Sequence, residues 1–269
     1  MTEVQAGDLT IESWRVDDKA LWEKEVIPAF NKTHPEITIK FAPTAPAEYN
    51  ASLNTRLAGG TAGDLITCRP FDVSLELFKK GHLTDIKELE GINNFSDVAK
   101  GAWQTDDGSS TYCMPMASVI HGYFYNTEIF DELKIEVPKT EADLFAAMDK
   151  IKAESRYTPM ALGTNDGWET HQIVYTSIGP NYWKGEEGRK GLINGKAKMT
   201  DTDFVAPFKQ MAKWGPYLSR GYQSQTYGDS QNLFSLGRAA IYPAGSWDIA
   251  DFNATTYPKM GSRRPPSPN

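Results

Sequence analysis

Residues 9–41, LTIESWRVDDKALWEKEVIPAFNKTHPEITIKF, decide the fold class. Leu9, Ile11 and Ser13 alternate with polar residues, the period-two signature of a strand. Trp14 to Asp18 follow as a loop. Trp22, Val26, Ala29 and Phe30 then recur at helical spacing. Pro28 falls inside that pattern and is expected to kink it, because proline lacks the N–H and its ring crowds the preceding turn. His34-Pro35 ends the helix, and Ile37, Ile39 and Phe41 alternate as a second strand. Strand, helix, strand implies a parallel pair with the helix laid on one face.

The same rhythm continues outward. Tyr49, Leu53 and Leu57 mark a helix stopped by Gly59-Gly60. Residues 64–68, DLITC, read as a short buried strand whose outgoing loop is Arg69-Pro70-Phe71-Asp72. Leu75, Leu77 and Phe78 lead to another glycine stop at Gly81. Residues 84–111 are polar and loop-rich, with a hairpin tip at Asp106–Ser110. A second α/β series starts with the aromatic strand Val119–Tyr125. Thr140 is placed to cap a helix whose buried stripe is Leu144, Met148 and Ile151. Pro159–Leu162 is a further short strand, opening into the polar loop Gly163–Glu169. Residues 181–200 read as charged surface, and Phe204, Phe208 and Met211 mark a helix around 201–217. Residues 233–248, LFSLGRAAIYPAGSWD, read as a helix end, a C′ glycine at Gly237, a buried strand and a Gly-Ser-Trp-Asp loop.

Composition narrows the function. The 269 residues carry a net charge of −7 with 40% hydrophobic and 12% aromatic content. That balance argues against nucleic acid or an anionic membrane as partner. No apolar run approaches membrane-spanning length. The chain opens MTEVQAGDLT, with no basic or apolar leader segment. Cys68 and Cys113 read as two free, buried thiols, with one disulfide open to them in an oxidising compartment.

Catalytic motifs are absent. There is no GxxxxGK[ST], no GxGxxG behind a strand, no HExxH, no paired CxxC and no GxSxG. The four histidines are scattered, so neither metal nor cofactor is expected. A glycoside-acting carboxylate pair stays open among 35 acidic residues. What recurs instead is an aromatic residue beside a charged one on loops leaving strands: Trp14, Arg15 and Asp17; Arg69 and Asp72; Trp168 and Glu169; Gly245, Ser246, Trp247 and Asp248. In an α/β sheet, ligands bind beyond the carboxyl ends of the strands. An indole covers the C–H face of a pyranose, while carboxylates and guanidinium forks suit vicinal hydroxyls. Each of these residues has a plain alternative: an indole packed in the core, or Arg69 and Asp72 as a local ion pair.

Four stretches together resemble a known family: the Trp-bearing loop and helix ending PAFNKTHPEITIKF; GDLITCRP with FKKGHLTDI; YCMPMASVIHGYFYNTEIF followed by VPKTEADL; and LFSLGRAAIYPAGSWD. In this order they are similar to the extracellular solute-binding proteins of bacterial carbohydrate ABC importers, over residues 9–248. The resemblance implies a two-lobe α/β fold of the periplasmic-binding-protein type, each lobe a mostly parallel sheet flanked by helices, with a hinge between lobes. It places an N-terminal lobe at 1–116, a second at 117–251, and at 252–269 a return segment toward the first lobe ending in an irregular or disordered tail.

It also implies a non-catalytic monomer that binds a mono- or oligosaccharide, or a polyol, in an inter-lobe cleft and hands it to the transmembrane subunits of an ABC permease. Such a protein is periplasmic, or extracellular and membrane-anchored, once a signal peptide has been removed. By the resemblance, Trp14–Asp17 and Arg69–Asp72 line the first lobe's side of the site. Ser118 sits at the crossing, and Trp168-Glu169 with Gly245–Asp248 line the second lobe's side. Two other readings are a glycoside-acting enzyme and a solute sensor docking to a receptor. The sequence departs from the family at Cys113, where glycine is common. It departs again after the Gly-Ser-Trp loop, where the basic, proline-rich residues 261–268 replace an expected apolar strand, and the expectation is a C-terminal truncation.

Overall fold

The computed structural model describes residues 7–254 and 260–263. The chain divides into two compact units, Met1–Ser118 and Val119–Asn269.

Unit 1 is built on three parallel strands in the order β2-β1-β3: β1 is Gly7–Ser13, β2 Ile37–Pro43 and β3 Leu65–Ile66. Gly7 pairs with Ile37 and Ser13 with Pro43, so β1 and β2 run in register along their whole length. The connecting helix α1 (residues 19–31) opens into a π-helical turn at Trp22–Val26 and resumes α geometry at Ile27–Asn31. The wider turn lies just before Pro28, where the ring would otherwise meet the preceding turn's carbonyl. Helix α2 (Tyr49–Ala58) ends at Gly59-Gly60, and α3 (Asp72–Lys79) ends ahead of Gly81; Gly60 and Gly81 take φ of 65° and 79°. Tyr49, Leu53 and Leu77 pack together with Trp14, Leu57 and Ile66 to bury the sheet's helix-facing side.

Cys68 and Cys113 are joined in a disulfide with Cα atoms 6.4 Å apart across 45 residues, which corrects the expectation of two free thiols. The fold satisfies the geometry because Tyr112 donates its N–H to the Trp103 carbonyl and packs with Cys113 against Leu75 and Phe78. The neighbouring strip of chain thereby comes under the end of β3. Nothing in a 45-residue separation reports such an approach.

Unit 2 holds a four-stranded sheet in the order β5-β6-β4-β7, with β4 at His121–Asn126, β5 at Thr158–Met160, β6 at Ala239–Gly245 and β7 at Met260–Arg263. Only β5 and β6 run parallel; β4 is antiparallel to both β6 and β7. The parallel pattern expected of each sheet therefore holds in unit 1 and gives way to a mixed sheet in unit 2. Alternation and apolar runs report burial and leave strand direction open. Strand β6 is buried at every residue and continues past the expected strand into Pro243. β5 has ended by then, its last pair being Met160 with Ile241, so Pro243 lies beyond the paired part of that ladder. Within the segment expected to be irregular, residues 260–263 form edge strand β7. The segment's residues 252–254 end the helix Asp248–Ala254, and residues 255–259 and 264–269 lie outside the described residues.

Helices α4 (Thr127–Glu132) and α5 (Glu141–Glu154) follow β4. Thr140 caps α5 as expected, in a reciprocal capping box with Asp143. After β5 comes α6 (residues 169–178), whose first turns, Glu169–Tyr175, are π-helical. Two short helices, Pro180–Trp183 and Glu186–Ile193, bury no side chain and fit the charged surface expected there. Helix α7 (Thr202–Ala212) then leads to α8 (Tyr227–Ser235), which Thr226 and Asp229 cap in a second box. α8 closes on Gly237 at φ 66°, with Gly237 N–H on Phe234 O and Arg238 N–H on Leu233 O. Helix α9 (Asp248–Ala254) follows β6 at once. The core of unit 2 lies on both faces of the sheet. Met148, Ile151, Met160 and Ile241 pack on one side, and Phe124, Phe234, Tyr242 and Phe252 on the other.

Candidate functional site

In unit 1 the loops after β1 and β3 converge. Trp14 is half-buried and stands edge-on to Tyr49, with ring centroids 5.5 Å apart. The Arg69 guanidinium lies 4.0 Å from the Trp14 ring centroid and donates to the Pro46 carbonyl and to Asn50 Oδ1. Burial disfavours its charged form, and the Tyr49 side favours it. Arg69 therefore stacks on Trp14; it is not the ion partner of Asp72. Asp72 is the first residue of α3 and is exposed, where a carboxylate complements the helix dipole. Phe71, just before it, takes φ 58° with its N–H held by the Ala102 carbonyl, a strained setting for a bulky side chain. Arg15 forms a two-pronged pair with Asp18, both contacts 2.9 Å. Asp17 is exposed within the 3-10 turn Val16–Asp18.

Beneath these loops Glu12 is 4% exposed and accepts from the Arg56 fork and from Gly63 N–H. Burial works against its charge, but Arg56 and Gly63 together hold its pKa below the usual carboxylate range. Ser118 is exposed and closes unit 1.

Unit 2 gathers its predicted residues more tightly. Ser246 ties the Gly-Ser-Trp loop to the start of β4: its N–H donates to Ile120 O, and its Oγ accepts from Ile120 N–H. Trp247 folds back over Gly245, where a Cβ would lie 2.0 Å from Cζ3 of the indole. Glycine at 245 is what lets that ring lie there. The Trp168 and Trp247 ring centroids are 6.4 Å apart, tilted by 45°. Tyr227 links them. Its ring is 4.5 Å from Trp168, and its hydroxyl accepts the Trp247 indole N–H at 2.6 Å. That hydroxyl in turn lies 2.6 Å from both Asp248 oxygens. Gln231 Nε2 donates to Asp248 Oδ1 at 3.1 Å. His121 extends the surface, edge-on to Trp247 at 5.4 Å, and burial lowers its pKa.

Both predicted carboxylates of this unit lie behind the rings. Asp248 is 1% exposed, with its oxygens committed to Tyr227 and Gln231. Burial lifts its pKa to about 6 against the pull of those donors. Glu169 is fully buried, and neither oxygen has a hydrogen bond of ordinary geometry. The Ser230 hydroxyl lies beside it, shared with Thr226 O. Burial, reinforced by Asp166, Asp248 and Asp229, pushes Glu169 up to about 8 against the downward pull of that hydroxyl. Trp168 and Trp247 remain half-buried. Tyr227, which joins the two indoles, was not singled out in the sequence. The capping signature Thr226-x-x-Asp229 marks it as the first residue of a helix, but not as the neighbour of two tryptophans 59 and 20 residues away.

No group of three His, Cys, Asp or Glu side chains suited to a metal occurs among the described residues, and no helix there is long and apolar enough to cross a membrane.

The sequence profile of the bacterial extracellular solute-binding proteins matches residues 13–267. The chain belongs to this family. It is 23% identical over 234 residues to the multiple sugar-binding protein of Streptococcus mutans, covering 84% of the chain and 54% of that protein. It is 26% identical over 278 residues to the lactose-binding protein of Rhizobium radiobacter, covering 96% and 63% respectively. The chain thus spans little more than half the length of these relatives. A structure described for xylan utilization by Caldanaerobius polysaccharolyticus superposes with a TM-score of 0.87 at 22% identity, over 97% of this chain and 68% of that one. At that identity the likeness establishes the fold: two α/β lobes of the periplasmic-binding-protein type.

Proposed function

We propose that this member of the family binds a carbohydrate without transforming it, outside the cytoplasmic membrane, and presents it to the transmembrane subunits of an ABC permease. The observation that carries the reading is the Trp168–Tyr227–Trp247 cluster of two half-exposed indoles, Trp247 tied by its N–H through the Tyr227 hydroxyl to buried Asp248 and Trp168 packed against the Tyr227 ring. Aromatic faces that cannot swing away suit the C–H faces of a sugar at low entropic cost. Relatives named for multiple sugars and for lactose support the ligand class. The buried carboxylates support a binding role over glycoside hydrolysis, since both lie behind the rings and Asp248 is already engaged. Trp168 and Trp247 are the expected direct contacts, with Asp248 and Gly245 positioning them. Arg15, Asp17, Arg69 and Asp72 offer polar groups from unit 1.

A thermal-shift screen over mono-, di- and oligosaccharides and polyols tests the reading. A ligand at about 100 times its Kd adds about 2.7 kcal/mol of stability, a rise of roughly 5–10 °C for a chain of this size. Chromatography of the same mixtures should return the sugar unchanged. Stabilisation by none of the panel, or appearance of a cleaved product, refutes the proposal.

A further inference from the structure

The unit-2 aromatic surface is backed by acidic groups that, among the described residues, no cation pairs. Glu169 and Asp248 are buried behind it, and Asp251 shares Gln231 with Asp248. Asp166 accepts the Tyr227 N–H and Asp229 caps α8, so both are held at the same helix end. Among the described residues, no ion pair reaches any of these five carboxylates. The donors that do reach them are neutral: the Tyr227 and Thr226 hydroxyls, the Gln231 and Asn165 amides, and backbone N–H groups. Tyr242 and Ser230 also face the cluster. The two nearby histidines are His121, which burial favours as neutral, and His171, whose ring lies against Gly167. Glu169 is the telling group, because a fully buried carboxyl whose nearby donor is the neutral Ser230 hydroxyl lies among Asp166, Asp229 and Asp248.

Indole faces with carboxylates behind them are the physical arrangement that attracts a cation. The ring quadrupole presents its negative face, and the carboxylates already ionised add to the same potential, joined by Glu169 once it gives up its proton. Resting on the carbohydrate reading above, we propose that the unit-2 surface selects a sugar carrying a positive charge, an amino sugar, and seats its ammonium group against Trp168 and Trp247. A neutral sugar would gain the stacking but none of this field. Binding of the cation stabilises the ionised form of Glu169, which therefore releases its proton on binding. Affinity for a fixed-charge ligand accordingly rises with pH until Glu169 is already ionised in the free protein, and is level above about pH 9.

The experiment is isothermal titration calorimetry on the full chain with matched ligands: glucose, N-acetylglucosamine and N,N,N-trimethylglucosamine, and the three galactose counterparts. The trimethylammonium group keeps its charge at every pH. Two buffers of different ionisation enthalpy count the protons released. The trimethylammonium sugar should bind roughly tenfold or more tightly than its neutral counterpart. It should release a fraction of a proton at pH 7 and none near pH 9, and its advantage should shrink as salt is raised. In Glu169→Gln the proton release should vanish and the ratio of cationic to neutral affinity should fall. Equal affinities, or binding of the cation without proton release in the unmodified protein, overturn this inference and leave the carbohydrate reading standing. Binding of no sugar, charged or neutral, here or in the thermal screen, removes both.

Discussion

The two units use one recipe to opposite effect. Each places a tryptophan and charged residues on loops beyond a parallel strand pair. In unit 1 the charge is a cation and it comes to the ring: Arg69 lies 4.0 Å from the centre of Trp14. In unit 2 the charges are carboxylates and they withdraw behind the rings, with Asp248 and Glu169 at 1% and 0% exposure. The contrast teaches that an aromatic residue beside a charged one in sequence does not by itself make a ligand platform. A guanidinium consumes the indole face by stacking on it, whereas a carboxylate, repelled by the same face, leaves it open.

The sharpest way to break the comparison is to destabilise one unit alone. The disulfide closes a 45-residue separation inside unit 1. Its removal in a Cys68→Ser, Cys113→Ser variant should cost about 2–4 kcal/mol. Hydrogen exchange followed peptide by peptide should show the loss in residues 7–118 and leave the core of β6 protected. Equal loss in both units would mean that they are not separate stability domains.

Acid and base should then pull the units in opposite directions. Glu169 and Asp248 have folded pKa values raised to about 8 and about 6, so the folded state holds protons that the unfolded chain would release. Unit 2 is therefore most stable below about pH 4 in this respect, and loses several kcal/mol, on the order of 7 if the two shifts add, as pH rises through 8. Glu12, with its pKa lowered by Arg56 and Gly63, works the other way: unit 1 gains stability above the unfolded carboxylate range and loses it as pH falls through the folded value. Exchange rates corrected for intrinsic chemistry measure both slopes, between about pH 5 and pH 8 for unit 2 and between about pH 3 and pH 5 for unit 1. Glu169→Gln should flatten the one in unit 2.

Binding sharpens the comparison further. Trp247→Ala should weaken sugar binding by about 2 kcal/mol or more, and Trp14→Ala by under about 1 kcal/mol, because Arg69 already covers a face of Trp14. Titration with a sugar identified by thermal shift reads both. A larger effect at Trp14 would reverse the roles assigned to the two indoles. The smallest effect belongs to Asp18→Asn. The Arg15–Asp18 pair is about one-third exposed on either side, and its loss should change the melting free energy by less than about 1 kcal/mol.

Much of this architecture is legible in the residues because it is local. The alternation in 9–13 and 37–41, the glycines at 60, 81 and 237, and the Thr140 cap each act within a few positions of themselves, and the structure carries all of them. What the residues do not disclose depends on approach in space. Strand direction in unit 2, the partner of Cys68, and the choice of Trp14 over Asp72 as neighbour of Arg69 are set by packing across dozens of residues. Burial of the two predicted carboxylates is of the same kind. Asp and Glu are expected at the surface, and the hydroxyls of Tyr227 and Tyr242 with the amide of Gln231 make the interior tolerable for Asp248.

The Trp247–Tyr227–Asp248 chain has one more consequence, an optical one. The indole N–H of Trp247 ends, through a single hydroxyl, on a carboxyl that titrates near pH 6. Ionisation there changes the electric field along the ring and so the colour of its emission. Trp247 is thereby wired as an indicator of the group that holds its ring in place, and the difference in emission between the protein and Trp247→Phe isolates it from the other six tryptophans.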